Sequence, residues 1–180
     1  MIVAHWHELA EELMRTRRRG LVAYAFLLTQ DVTAAEDLVQ DAVVRTFTGL
    51  RRFPSVGHAE AYARRAIACA FLDSRRSRAR ETRRLERVAG REAEPSAARS
   101  VEIRLDLVDA LGTLPPRQRA CVTLRYLAEL STTETASALD LSEGSVKRYL
   151  ADGIAALNLL LGTAAEPDER ANVERRGGSR

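Results

Sequence analysis

The stretch Ser131–Leu157, STTETASALDLSEGSVKRYLADGIAAL, decides the reading of this chain. Ser131-x-x-Glu134 is a capping box, so a short helix starts near Thr132. Ala136 sits where this helix must approach the next one closely. Asp140 and Leu141 make a turn, because aspartate tolerates the left-handed conformation better than most residues. Ser142 then caps a second helix, with Val146 and Leu150 inward at (i, i+4) spacing and Leu157 further along. Glu143, Ser145, Lys147, Arg148 and Asp152 are left on outward surfaces. Two short helices, a tight turn and exposed cations on the second form the layout of a helix-turn-helix, which lays one helix in the major groove of DNA. An ordinary helical hairpin with two exposed cations shares this pattern.

A second pattern lies far upstream, AEDLVQDAVVRTF at Ala35–Phe47. Thr33-x-x-Glu36 reads as a capping box. Leu38, Val39, Ala42, Val43, Phe47 and Leu50 share one helical face. The polar face carries Glu36, Asp37, Gln40 and Asp41. Such acids suit a helix N-terminus, and they equally suit docking of a basic partner helix. The segment LRRFPSVGHAEAY follows, with Arg51, Arg52, Phe53, His58 and Tyr62. Cations beside aromatic rings fit single-stranded bases, which stack on rings while cations hold the backbone. Phe53 reads more simply as core, and Tyr62 divides between the two roles.

Composition sets the frame. The 180 residues are 46% hydrophobic and 29% charged, with 5% aromatics, enough to fold and rich in helix formers. No alternating apolar-polar run of useful length occurs, so the expected class is all-α. The net charge of +3 is mild. Its distribution is uneven: Ser74–Arg91 holds eight arginines against two glutamates, which suits phosphate contact or a solvated helix face. Cys69 and Cys121 have apolar neighbours and read as small packed residues, not a disulfide. His5, His7 and His58 offer no zinc-ligand spacing with them, so no metal is expected. No run is long enough to span a membrane and no signal-peptide core is present, which implies a soluble, cytoplasmic protein.

Prolines punctuate the chain. Pro54 marks a loop, Pro95 a linker, and Pro115-Pro116 the opening of a helix. Pro167 begins a polar tail. Helices are expected over about His5–Arg18, Gly20–Thr29, Thr33–Leu50 and Ala59–Arg80, with a short one near Thr82–Val88. Two small helical domains follow, 5–80 and 101–162, joined by a linker over 81–100, with a disordered tail over 163–180. The second domain holds the helix-turn-helix behind an amphipathic helix, PPRQRACVTLRYLAEL, which buries Cys121, Leu124 and Leu127. Arg117, Arg119 and Arg125 on that helix are expected to face solvent or phosphate.

Three blocks in order, LLTQDVTAAEDLVQDAVVRTF, AEAYARRAIACAFLDSRRSR and LGTLPPRQRACVTLRYLAELSTTETASALDLSEGSVKRYL, resemble the extracytoplasmic-function (ECF) sigma factors of bacterial RNA polymerase, most of all actinobacterial ones. The likeness covers most of Leu21–Leu161. It implies a subunit that binds core polymerase, recognises a two-part promoter and initiates transcription. It implies that Glu36, Asp37, Gln40 and Asp41 grip the β′ coiled coil. The segment Arg51–His58, including Arg52 and Phe53, would capture an extruded minus-ten base, and Tyr62, Arg65, Cys69, Asp73, Arg75 and Arg76 would meet melting DNA. Ser142, Glu143, Ser145, Lys147 and Arg148 would read the minus-thirty-five duplex, and the linker would thread the core toward the RNA exit path.

The chain departs from the family pattern in places. Tyr62 stands where Trp is common, Cys69 where Asn is common, and Thr135 where Ile is common. Asp140 replaces a usual small residue or Gly. Loss of the Asn amide at Cys69 bears on minus-ten preference.

The family further implies binding to the β and β′ subunits, to promoter DNA and to an anti-sigma factor, with no cofactor. An exposed apolar groove near Leu124, Leu127, Leu157 and Leu160 would suit the anti-sigma factor or the β flap, while core packing accounts for most of these leucines. The chain shows no nucleophile triad and no phosphate-binding glycine loop, so no enzyme is expected. The alternative is a helix-turn-helix regulator that is not a polymerase subunit. It would have no need of the acidic helix and its basic-aromatic segment.

Overall fold

The computed structural model describes residues 2–48, 52–86 and 104–162. Among them the secondary structure is helical throughout: α1 (Ile2–Thr29), α2 (Val32–Thr48), α3 (Val56–Glu86), α4 (Arg104–Thr113), α5 (Pro116–Tyr126), α6 (Thr132–Leu139) and α7 (Glu143–Leu161). The linker centre, the C-terminal tail and Arg51 lie outside the described residues.

Several boundaries differ from the sequence expectation, each for a local reason. The first two expected helices are one, because Gly20 costs a helix only about 1 kcal/mol and does not end it. Nothing lies within 4 Å of where its Cβ would sit, so no close packing demands the glycine. Gln30 ends α1 in the left-handed region at φ 60°, its N–H donating to the Phe26 carbonyl. Asp31, not Thr33, caps α2: its carboxylate accepts from Ala34 N at 3.0 Å. Ser55 starts α3, with its carbonyl accepting from Ala59 N and its hydroxyl from His58 N. The helix then runs on through the expected break to Glu86.

α1, α2 and α3 pack around Leu13, Leu21, Leu28, Val39, Ile67 and Phe71. α5, α6 and α7 pack around Leu124, Leu139 and Val146, and α4 closes on α7 through Leu111, Leu114 and Leu157. Gly153 lets α7 meet α5 closely, since a Cβ there would lie 3.0 Å from Val122 Cγ2. The two groups of helices share one continuous apolar core: α3 packs on α5 and α6, and α1 on α4 and α5.

Arg119 sits at that junction. It is buried, only 5% exposed, and does not face solvent as its amphipathic helix led one to expect. Its guanidinium donates to Leu28 O at 2.6 Å, to Leu114 O at 3.1 Å and to Gly112 O, and lies 5.8 Å from the Phe71 ring centroid. Leu28 and Gly112 stand in the last turns of α1 and α4, where carbonyls lack helical partners and the helix dipole is negative. The cation is thus held by two converging helix C-termini. Burial lowers its pKa to about 10, which leaves it charged at neutral pH.

Candidate nucleic-acid and polymerase interface

The helix-turn-helix is built by local chemistry. Ser131 Oγ accepts from Glu134 N at 3.1 Å, and Glu134 Oε2 accepts from Ser131 N at 2.9 Å, closing the capping box. Ser131 N and Ser131 Oγ both donate to Glu134 Oε2, which holds the Glu134 carboxyl below the usual carboxylate range, with Arg65 adding to the effect. Asp140 makes the turn in the left-handed region, φ 52° and ψ 53°. Ser142 Oγ accepts from Ser145 N at 3.1 Å and starts α7. Thr133 Oγ1 donates to Glu143 Oε1 at 2.8 Å, tying α6 to α7; no spacing rule flagged that pair.

Val146 is fully buried, Leu157 is buried and Leu150 half-buried, so α7 turns its apolar stripe inward. Ser142, Glu143, Lys147 and Arg148 are exposed and Ser145 is half-buried. Arg117 Nη1 donates to Tyr149 Oη at 3.2 Å, which lowers the Tyr149 pKa, and Arg148 lies 5.3 Å from the Tyr149 ring centroid. The second helix therefore presents a wet, cationic surface.

On α2, Ala35, Val39, Ala42 and Thr46 are buried. Asp37, Gln40 and Asp41 face solvent, and Glu36 is half-exposed and accepts from Arg18 Nη2 at 3.0 Å. Val44, 59% exposed, sits three residues beyond Asp41 and adds an apolar spot beside the acidic positions.

The basic-aromatic segment is partly ordered by ring contacts. Phe53 packs edge-on to Phe47 at 5.9 Å and tilted to Tyr62 at 5.4 Å. Arg52 and His58 are exposed, and His58 Nδ1 is 2.8 Å from Ser55 Oγ. Along α3, Arg75 lies 5.5 Å from the Phe71 centroid, and Arg76 pairs with Asp73 at 3.5 Å.

Arg65 and Cys69 lie elsewhere, against the second group of helices. Arg65 Nη2 contacts Glu134 Oε1 at 3.1 Å, and Cys69 Sγ donates to Ala138 O at 2.9 Å. Burial raises the Cys69 pKa, and raises that of fully buried Cys121 to about 11; both thiols are free. The expected leucine groove does not form as one surface. Leu124 and Leu157 are buried, whereas Leu127 and Leu160 are exposed. No His/Cys/Asp/Glu cluster suited to a metal ion occurs among the described residues.

Sequence comparison fits this geometry. Residues 13–81 match the Sigma-70 region 2 model and residues 104–157 match the Sigma-70, region 4 model. The chain is 35% identical over 147 residues to an RNA polymerase sigma-E factor of Streptomyces avermitilis, covering 82% of each. The chain belongs to the ECF sigma factors of bacterial RNA polymerase. The sigma-E factor of Streptomyces antibioticus is 34% identical, with 89% of this chain and 92% of that one covered. SigM of Mycobacterium tuberculosis is 33% identical, covering 84% and 76%. These relatives place this sigma factor among the actinobacterial members. The fold is also that of a sigma factor, RpoE of Bartonella quintana, solved with the anti-sigma factor NepR (TM-score 0.62, 21% identity, 86% and 98% covered). As an ECF sigma factor the chain binds core polymerase, recognises promoter DNA and initiates transcription.

Proposed function

We propose a division of that work between the two groups of helices, 5–80 and 101–162. Glu36, Asp37, Gln40 and Asp41 on α2 bind the polymerase core through its β′ coiled coil. Arg51, Arg52, Phe53, His58, Tyr62, Arg65, Cys69, Arg75 and Arg76 hold the strand-separated minus-ten element. Ser142, Glu143, Ser145, Lys147 and Arg148 read the minus-thirty-five duplex. The observation that carries this reading is an acidic face on α2 left wet while the opposite face is fully buried. A regulator that never meets polymerase gains nothing from such a face.

Extruding and holding a base costs a few kcal/mol, which ring stacking and backbone cations offset. Nucleotide chemistry then belongs to the polymerase, and this chain works as a non-enzymatic subunit in the cytoplasm. No described helix is long and apolar enough to cross a membrane. An anti-sigma factor of the kind bound to the Bartonella relative is a fitting regulator.

Run-off transcription with purified core enzyme tests the reading. Promoter-dependent transcripts are expected from core plus this protein and from neither alone. Duplex binding with no promoter-dependent transcript on any genomic template would favour the regulator.

A further inference from the structure

We propose that Thr133 is a positioning residue for Glu143, and that Glu143, so held, selects cytosine at one base pair of the minus-thirty-five duplex. The proposal rests on the assignment of α7 to that duplex made above.

Thr133 is the second residue of α6 and Glu143 the first of α7, and both are exposed. The bond from Thr133 Oγ1 to Glu143 Oε1, 2.8 Å long, crosses from one helix of the motif to the other. In so wet a place it adds little to stability, because water serves both groups equally well. The helix dipole favours an acid in the first turn of α7 without help from Thr133. What the bond does set is direction. A glutamate side chain rotates about three torsions, and ordering it before DNA arrives removes a cost otherwise met on binding.

The held carboxylate keeps its accepting power. Thr133 is a neutral donor, and Lys147, one turn along α7, makes no ion pair with Glu143 among the described residues. Neither packing nor a left-handed backbone calls for the glycine at 144, where a Cβ would meet nothing within 4 Å. Bare backbone beside Glu143 lets a groove wall come close, at the end of the helix that reaches base edges.

A carboxylate only accepts, and base edges in the major groove differ in what they offer it. Guanine shows two acceptors, and thymine an acceptor and a methyl group. Adenine sets its amino donor beside the N7 acceptor, which repels a carboxylate. Cytosine presents its N4 amino group with no acceptor of its own on that edge, so cytosine is the base this glutamate selects.

Holoenzyme assembled from actinobacterial core polymerase and the full-length chain tests this. The run-off template has its minus-thirty-five base pairs randomised, and each template is identified by a transcribed barcode. In wild type, one upstream position is expected to favour cytosine about tenfold, as for one mismatched pair. Thr133→Val, which keeps the shape and removes the hydroxyl, is expected to cut that preference about threefold or more and leave other positions alone. Thr133→Ser is expected to retain it. Glu143→Gln, whose amide both donates and accepts, is expected to move the same position toward adenine. A merely structural tie between α6 and α7 would move every position together or none. If Thr133→Val loses helix content, Thr133→Ala serves with the same expectation. A shift with Glu143→Gln and none with the folded Thr133 variant overturns the positioning role. Sharp upstream preferences that both variants leave unmoved sink the whole inference and spare the assignment of α7. A transcribing holoenzyme with no upstream preference at all sinks that assignment too.

Discussion

Two side chains show how single groups set stability and function here. Thr135 is fully buried in the small core under α6, and its hydroxyl has no hydrogen-bond partner among the described residues. A buried, unpaired hydroxyl costs about 1–3 kcal/mol relative to an apolar group of the same shape. Thr135→Val is therefore expected to raise stability by about 1 kcal/mol, read from the midpoint of urea unfolding at constant slope. A lower midpoint would mean the hydroxyl is satisfied. Lys147, the chain's lone lysine, is exposed on α7 near its capped start. If it holds a phosphate, Lys147→Ala lowers duplex affinity for all sequences alike and reduces the salt slope by about one. An unchanged slope with altered sequence preference would reassign it to base readout. The sequence placed Lys147 correctly on a wet surface because its helix is short, capped and amphipathic. Arg119 defied the same logic, since its partners are carbonyls of Leu28, Gly112 and Leu114, and a backbone carbonyl leaves no mark in the residue pattern.

Elements with side-chain caps were legible, and those ended by backbone or distant contacts were not. Ser131, Glu134, Asp140 and Ser142 each act within four residues, so both helices and the turn of the helix-turn-helix could be read from spacing. The capping box ties α6 to pH. Ser131 holds the Glu134 pKa below its ordinary 4.5, with help from Arg65. The folded state then binds the proton less readily than the unfolded state. The stabilisation is complete above the ordinary value and is lost as pH falls through the lowered one. Glu134→Gln is expected to flatten that acid limb in thermal scans between pH 5 and 3, and an unchanged limb would show that other carboxylates set it. The start of α2 was misread because Asp31 and Thr33 both have capping chemistry, and only the chain path out of Gln30 selects Asp31. The face of α2 makes its own prediction. Charge reversal at Asp37 and Asp41 together should weaken core binding at least about tenfold, as for charge pairs at a protein interface, and spare duplex binding. Joint loss of both activities would indicate unfolding.

At the scale of the molecule, the sequence divides into two helical modules and the structure shows what that division omits. The division follows from Pro95 and the polar run around it, which are local signals. Contact between the modules runs through one buried apolar cluster that includes Phe71, Cys121 and Leu124, each of which also reads as ordinary core of its own module. Because these residues share one apolar cluster, separating the modules exposes surface on both. The wild-type chain should therefore unfold in a single calorimetric transition, with calorimetric and van't Hoff enthalpies equal. Without Arg119, which joins α5 to the Leu28 and Gly112 carbonyls, the coupling weakens and each module gains stability of its own. Arg119→Met is then expected to broaden the transition or split it in two, the calorimetric enthalpy exceeding the van't Hoff value. Two separate transitions in wild type would show that the shared core contributes no coupling. A single sharp transition, merely lower in temperature, for Arg119→Met would make Arg119 a packing residue and leave the shared apolar core, with Arg65 and Cys69, to join the modules.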